Sequence, residues 1–230
     1  MIEKTLKTTD GKLCVKIPSR LNEITLGQLM QMQDVPNLTD LDAISILSGV
    51  PVTELKNVLN VHDFDVFGEV IFSLSNQIKQ LYSVEEIPAR AHFDIDGKKV
   101  SVNVIRNLSV EPSGAFMAAR EIIADEISEH IKLYGEEDWQ DRFNPSLKAC
   151  CQVLAQYFYC RVTGKKYNEY EAEAFSETVK KLIVTEALPI GKHFFMSFPD
   201  LSRPKANYYQ RFCQFWRKKP AYNPSRSLNI

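Results

Sequence analysis

The stretch that most constrains this fold is Ser146–Val162, because its apolar residues leave no polar face. Leu147, Cys150, Val153, Leu154, Tyr157, Phe158 and Val162 run nearly all round a helix of that length. A helix without a polar side has to be enclosed by other elements, so this one is the expected centre of the core. Gly164-Lys165-Lys166 reads as the turn that closes it. Asn168 and Glu171 then have the spacing of a reciprocal capping pair. They open a further helix that carries Phe175, Val179, Leu182 and Ile183 and stops just before Pro189, making 146–188 an antiparallel helix pair.

The cover for that core comes from shorter pieces. Asp10-Gly11 and Asp96-Gly97 each lie between segments of alternating polarity, the pattern of a β-hairpin with an Asp-Gly turn. In the second, Val100, Val102 and Val104 fall on one face and Ser101 and Asn103 on the other. Both hairpins read Asp-Gly-Lys and lead through a short link to a helix. An internal duplication is one reading, although such turns are common, and the two are candidates for one small shared sheet. Thr25 is placed to cap a helix beginning with Leu26, Leu29 and Met30. A second helix follows Thr39, burying Leu41, Ile44 and Leu47 and stopping at Gly49 before Pro51. A third follows Thr53 with Leu55, Val58 and Leu59 on one face. Asp63 opens a longer one to about Tyr82, with Phe67, Val70, Ile71, Leu74, Ile78 and Leu81 at helical spacing. Ser113 is the expected cap of a long helix to about Tyr134, with Phe116, Ile123, Ile127 and Ile131 inward and Gly135 as its stop. Glu136 to Phe143 reads as a short acidic helix or turn carrying Trp139.

The expected fold is therefore mainly α with two β-hairpins, an α+β chain with a compact helical body and a basic aromatic C-terminal tail. It divides into an N-terminal hairpin with short helices (1–88), a second hairpin with the long-helix core (89–191), and a C-terminal arm (192–230). Its 44% hydrophobic and 25% charged residues are those of an ordinary globular protein. No apolar run is long enough to cross a bilayer, and Met1-Ile-Glu-Lys-Thr-Leu-Lys lacks the apolar stretch of a signal peptide. Five cysteines without a Cys-x-x-Cys spacing point to reduced thiols in an intracellular compartment.

A near-neutral net charge of −1 conceals an uneven distribution. From residue 192 onward there are eight Lys/Arg and one Asp, about +7, which leaves 20 basic against 28 acidic groups in residues 1–191, about −8. The arm also holds nine of the 24 aromatic residues. Three readings of it stay open. Tyr208, Phe212 and Phe215 share one face of a helix and pack on the chain's own body, with Arg211, Arg217 and Lys218 outward. In the second, the same aromatics, flanked by Tyr209 and Trp216, anchor a contact with a neighbouring subunit, while Arg211, Arg217, Lys218 and Lys219 meet an acidic surface. In the third, Arg and Lys contact phosphates and Tyr and Trp stack on bases of a nucleic acid, against the repulsion of the acidic body.

No signature of catalysis emerges. His62, His92, His130 and His193 are scattered. Glu126 and His130, one helical turn apart, would need a matching pair on another helix to build a carboxylate-bridged metal site, so a solvated charged face is the plainer reading. Thr163-Gly164-Lys165 lacks both the earlier glycine and the following Ser/Thr of a phosphate-binding loop: Tyr159 and Lys166 stand there. No serine lies in a Gly-x-Ser-x-Gly setting, and no cysteine has a histidine beside it. No cofactor, metal or catalytic residue is expected.

Two stretches carry a resemblance. One is Ile17-Pro-Ser-Arg-Leu-Asn-Glu-Ile-Thr-Leu-Gly-Gln-Leu29 with Ile46-Leu-Ser-Gly-Val-Pro51 downstream. The other is Phe198-Pro-Asp-Leu-Ser-Arg-Pro-Lys-Ala-Asn-Tyr-Tyr209 with the basic aromatic run after it. Together, over less than a third of the chain, they resemble virion and morphogenesis proteins of tailed phages of Bacteroidetes hosts, crAss-like phages included. The resemblance implies a head–tail neck or ring component, a packaged virion protein, or a tail-assembly chaperone. It implies manufacture in the host cytoplasm, residence in the virion, and partners that are other copies and other virion proteins. It supplies no catalytic residues. A nucleic-acid-binding module using the arm is the alternative from a different class, and no membrane partner is expected.

Overall fold

The structure, a computed structural model, describes residues 1–81, 86–135 and 143–197. Its order begins with strands β1 (Ile2–Thr8) and β2 (Gly11–Ile17), then helices α1 (Leu26–Asp34), α2 (Asp40–Ser48), α3 (Val52–Leu55) and α4 (Asp65–Leu81). Strands β3 (Arg90–Ile95) and β4 (Lys98–Asn103) follow. After them come α5 (Ser113–Tyr134), α6 (Leu147–Thr163), α7 (Glu169–Ala174), α8 (Ser176–Val179) and α9 (Val184–Ser197). The chain is thus mainly helical with two antiparallel hairpins, an α+β fold.

Helix α6 is the centre that its composition demands. Val153, Leu154, Tyr157 and Phe158 are completely buried, and even Gln156 is enclosed. Helices α5 and α9 lie along it, β4 and the short helices α7 and α8 close its remaining sides, and α1 meets its N-terminal half. Ser146 caps it by accepting the Ala149 amide at 3.1 Å, and Gly164 ends it in the left-handed region at φ 69°. The α6–α9 crossing is close because position 191 is glycine: a Cβ there would stand 3.1 Å from the Cys150 sulfur. Cys150 and Cys151 point apart, Cys150 toward Gly191 and Cys151 toward the Ser176 carbonyl at 3.6 Å.

The second hairpin is pinned to the core by rings. Phe93 meets Phe158 edge-on at 5.0 Å and Phe175 at 5.9 Å. Val100 and Val102 lean on the core while Ser101 and Asn103 face outward. Its turn is the expected Asp96-Gly97, both residues at positive φ, 51° and 76°. The first hairpin differs. Thr8 pairs with Gly11, so Thr9 and Asp10 make the turn and Gly11 opens the return strand at φ 139°. The two hairpins also form separate two-stranded sheets instead of one. Each buries its apolar face on different helices: β2 on α2, and β3 on α8 and α9.

Several helix boundaries depart from the sequence expectation. The helix expected after Thr53 is Val52–Leu55, so Thr53 lies inside it and Val58 and Leu59 beyond it, and Asp63 falls in the Val61–Phe64 turn that precedes α4 at Asp65. Ser113 lies inside α5, whose N-cap is Pro112, with no side chain closing the cap. Asn168 does accept the Glu171 amide at 3.1 Å, but Glu171 does not reciprocate. Its Oε2 accepts from the Tyr159 hydroxyl at 2.6 Å and from Lys165 Nζ at 2.8 Å, two donors that a charged oxygen prefers to one backbone amide. The helix expected over 168–188 is broken into α7 and α8, and α9 then starts at Val184 and runs through Pro189 to Ser197. The break has a tertiary cause: the backbone at 180–184 is committed to α1. Leu26 donates to the Leu182 carbonyl at 2.7 Å, Gly27 to that of Lys180 at 2.8 Å, and Val184 to that of Ile24 at 2.9 Å. Helix α9 carries Phe194 and Phe195 into the core, so the first residues of the basic arm belong to a buried helix.

Candidate interaction surface

Residues 21–81 form the layer that α1 to α4 build on one side of the core. They contain eight acidic residues (Glu23, Asp34, Asp40, Asp42, Glu54, Asp63, Asp65 and Glu69) against Lys56 and Lys79, a net charge of −6. Residues 1–20 carry +3 and residues 82–191 carry −5, so for its length this layer is the most acidic part of the body. Local capping places part of it: Thr39 and Asp42 cap α2 reciprocally, at 3.2 and 3.1 Å. The Thr39 hydrogen bonds hold the Asp42 carboxyl below its ordinary pKa. Thr25 and Gln28 do the same for α1 at 3.2 and 3.0 Å.

Two depressions open in this layer. The first, of about 360 Å³, lies between α1, α2, α4 and the start of α6. It is walled mostly by Leu29, Met32, Leu38, Ile71, Leu74 and Ile78. The second, of about 520 Å³, lies between α2, the Val61–Phe64 turn and α4. Leu41, Ile44, Val61 and Phe64 give it an apolar floor, and Asp40, Asp65 and Glu69 stand round it. His62 approaches Asp65 at 3.3 Å, and among the described residues no Lys or Arg pairs with Asp40, Asp65 or Glu69. Exposed apolar side chains gather nearby: Val61 is 70% exposed and Phe72, one turn beyond Gly68 on α4, is 72% exposed. An apolar floor inside a ring of carboxylates suits an apolar group that carries positive charge beside it.

The residues expected to form the interface, Tyr208, Tyr209, Arg211, Phe212, Phe215, Trp216, Arg217, Lys218 and Lys219, lie outside the described residues, as does Trp139. What the structure adds is the surface complementary to them in charge. The residues of the second depression were missed because they sit on three separate elements. Their one signal in the sequence is the acidic excess of 21–81.

Glu126, His92 and His193 have structural partners. Glu126 accepts the Ser146 amide at 2.6 Å and so helps to start α6, which replaces the solvated face expected for it. His130 packs its ring on Tyr134 at 4.6 Å and Phe143 at 5.1 Å, and its Nε2 has no hydrogen-bond partner among the described residues. Burial first and Glu126 second push the neighbouring Cys150 thiol far up, which holds it protonated and unreactive. His92 donates its backbone amide to Glu186 at 2.9 Å, and its ring Nδ1 lies 2.7 Å from the same carboxylate. His193 meets the Arg106 carbonyl and Ser197. Among the described residues no group of three or more His, Cys, Asp or Glu is arranged to hold a metal ion, and no helix is long and apolar enough to cross a membrane.

Comparisons with known proteins leave the surface to speak for itself. No family model matches the chain, and no curated protein or solved structure does. The functional reading rests on the residues.

Proposed function

We propose that this chain is a non-enzymatic structural component of a tailed-phage particle, a head–tail neck or ring subunit or a packaged virion protein, working through contacts between subunits. One observation carries the reading: a basic aromatic arm follows a body that is acidic overall and most densely so, for its length, in the layer of α1 to α4. Because α9 ends at Ser197, the arm proper is 198–230, with seven Lys/Arg and one Asp, a net +6, and seven aromatic residues. Opposite charges on separate parts of one chain favour contact between them. Tyr, Trp and Arg are the types that dominate the binding energy of protein interfaces. The resemblance of Ile17–Leu29 and Phe198–Tyr209 to phage virion and morphogenesis proteins supplies the setting. The partners are then other copies and other virion proteins, and the location is the virion after synthesis in the host cytoplasm.

Mass spectrometry of purified particles tests this. Stoichiometric presence is the expected result. A chain abundant in infected cells but missing from particles would instead be a tail-assembly chaperone. Salt-dependent binding of short oligonucleotides at about 50 mM salt would transfer the arm's role to nucleic acid.

A further inference from the structure

We propose that the carboxylate-rimmed depression between α2, the Val61–Phe64 turn and α4 is the receptor for the basic aromatic arm of a second copy of this chain. The inference rests on the assembly reading above and names the surface that assembly uses. Three observations converge on it. Residues 21–81 carry −6, of which Glu23 and Asp63 are paired with the N-terminus and Lys4, and the arm from 198 onward carries +6, so the two are opposite in sign. The floor is apolar and partly open, with Val61 70% exposed, while Asp40, Asp65 and Glu69 stand exposed round it with no Lys or Arg partner among the described residues. The arm alternates the groups such a site takes: Arg211-Phe212 and Phe215-Trp216-Arg217-Lys218 put an aromatic ring next to a cation twice within eight residues.

Size and reach agree with this. A depression of about 520 Å³ accommodates a large aromatic side chain with room for a flanking guanidinium. The described residues end at Ser197, and a fully extended chain of the length of 198–230 spans about 110 Å, enough to cross to a neighbour. Donor and receptor are different surfaces of the same chain. Association between copies is therefore head-to-tail, the kind that closes into a ring when the rotation allows and otherwise continues as a filament.

Mixing two full-length variants tests it by analytical ultracentrifugation at low salt. One, Phe212→Ala with Trp216→Ala, has a receptor but a disabled arm. The other, Val61→Arg with Glu69→Lys, has an arm but a disabled receptor; both positions are exposed, and unchanged circular dichroism verifies its fold. The wild-type chain is expected to assemble, each variant alone to stay monomeric, and the equimolar mixture to give a one-to-one dimer that grows no further. If the receptor variant assembles like the wild type, the depression is not the receptor, while the assembly reading survives. A mixture that stays monomeric while the wild type assembles likewise overturns the receptor assignment. If the wild type itself is monomeric at every concentration, both the second-copy contact and the assembly reading fail.

Discussion

The amide of Leu26 donates to the carbonyl of Leu182 across 2.7 Å, joining residues far apart in sequence and satisfying a helix terminus with backbone from elsewhere in the fold. The first four amides of any helix lack partners within it. In α1, Leu26 and Gly27 use the carbonyls of Leu182 and Lys180, and Gln28 uses the Thr25 hydroxyl. Two substitutions probe this junction. Thr25→Ala removes the cap and is expected to cost about 1 kcal/mol. Gly27→Ala sets a Cβ 3.1 Å from the Lys180 carbonyl oxygen, a backbone atom, and is expected to cost about 1–3 kcal/mol through overpacking. Urea unfolding measures both.

Tyr157 anchors the strand exit of the second hairpin. Its hydroxyl accepts the Ile105 amide at 2.6 Å and donates to the Ile105 carbonyl at 2.9 Å. Tyr157→Phe leaves both backbone groups without a partner. Ile105 is 40% exposed, so water can reach it. The expected loss of about 1 kcal/mol is then at the lower end for an orphaned pair, with faster amide exchange at Ile105 as its local signature.

Glu111 and Arg161 form an ion pair in which the carboxylate side chain is only 3% exposed, and the guanidinium also lies over the Tyr157 ring at 5.1 Å. Glu111→Ala leaves a largely enclosed cation unpaired and is expected to destabilise by about 3–5 kcal/mol. The double replacement Glu111→Leu with Arg161→Met removes both charges and is expected to cost clearly less. Similar losses in the two variants would show that the pair is not acting as a unit.

Alkaline stability depends on Tyr159. Its hydrogen bond to the Glu171 carboxylate, with burial second, pushes the phenol up to about 12 from an ordinary value of 10.0. A folded pKa above the unfolded one stabilises fully below pH 10 and loses that contribution as pH rises toward 12. Tyr159→Phe is therefore expected to flatten the fall in stability between pH 10 and 12. Phenolate absorbance of the native protein should show a late-titrating fraction that shrinks in Tyr159→Phe; burial also raises Tyr157 and Tyr167.

In the arm, Phe212→Ala with Trp216→Ala is expected to abolish assembly while leaving the body folded, since losing a central interface aromatic costs about 2–4 kcal/mol. Lys218→Ala should only slow assembly or make it more sensitive to salt, because rim charges steer more than they bind. Sedimentation across a salt series separates the two. Unfolding of the monomer by the double replacement would instead assign these rings to the chain's own core.

Much of the fold follows from the chain's local chemistry. Period and punctuation alone located the hairpins, the cap at Thr25, the start of α2 after Thr39, the stops at Gly49, Gly135 and Gly164, and α6 as the centre. These are short-range effects: a hydroxyl three residues from an amide, or a glycine free to take positive φ. Tertiary structure decided what depends on distant partners. The helix expected over 168–188 breaks because α1 claims the backbone at 180–184. Glu171 leaves its capping role because Tyr159 and Lys165 offer it stronger donors. Pro189 lies within α9, whose following residues Phe194 and Phe195 are buried in the core. The candidate receptor is of the same kind. The sequence by itself determined that residues 21–81 are acidic and the arm basic. Only the packing of α2, the Val61–Phe64 turn and α4 brought Asp40, Asp65 and Glu69 round one apolar floor, because a surface made from three elements has no signature along the chain.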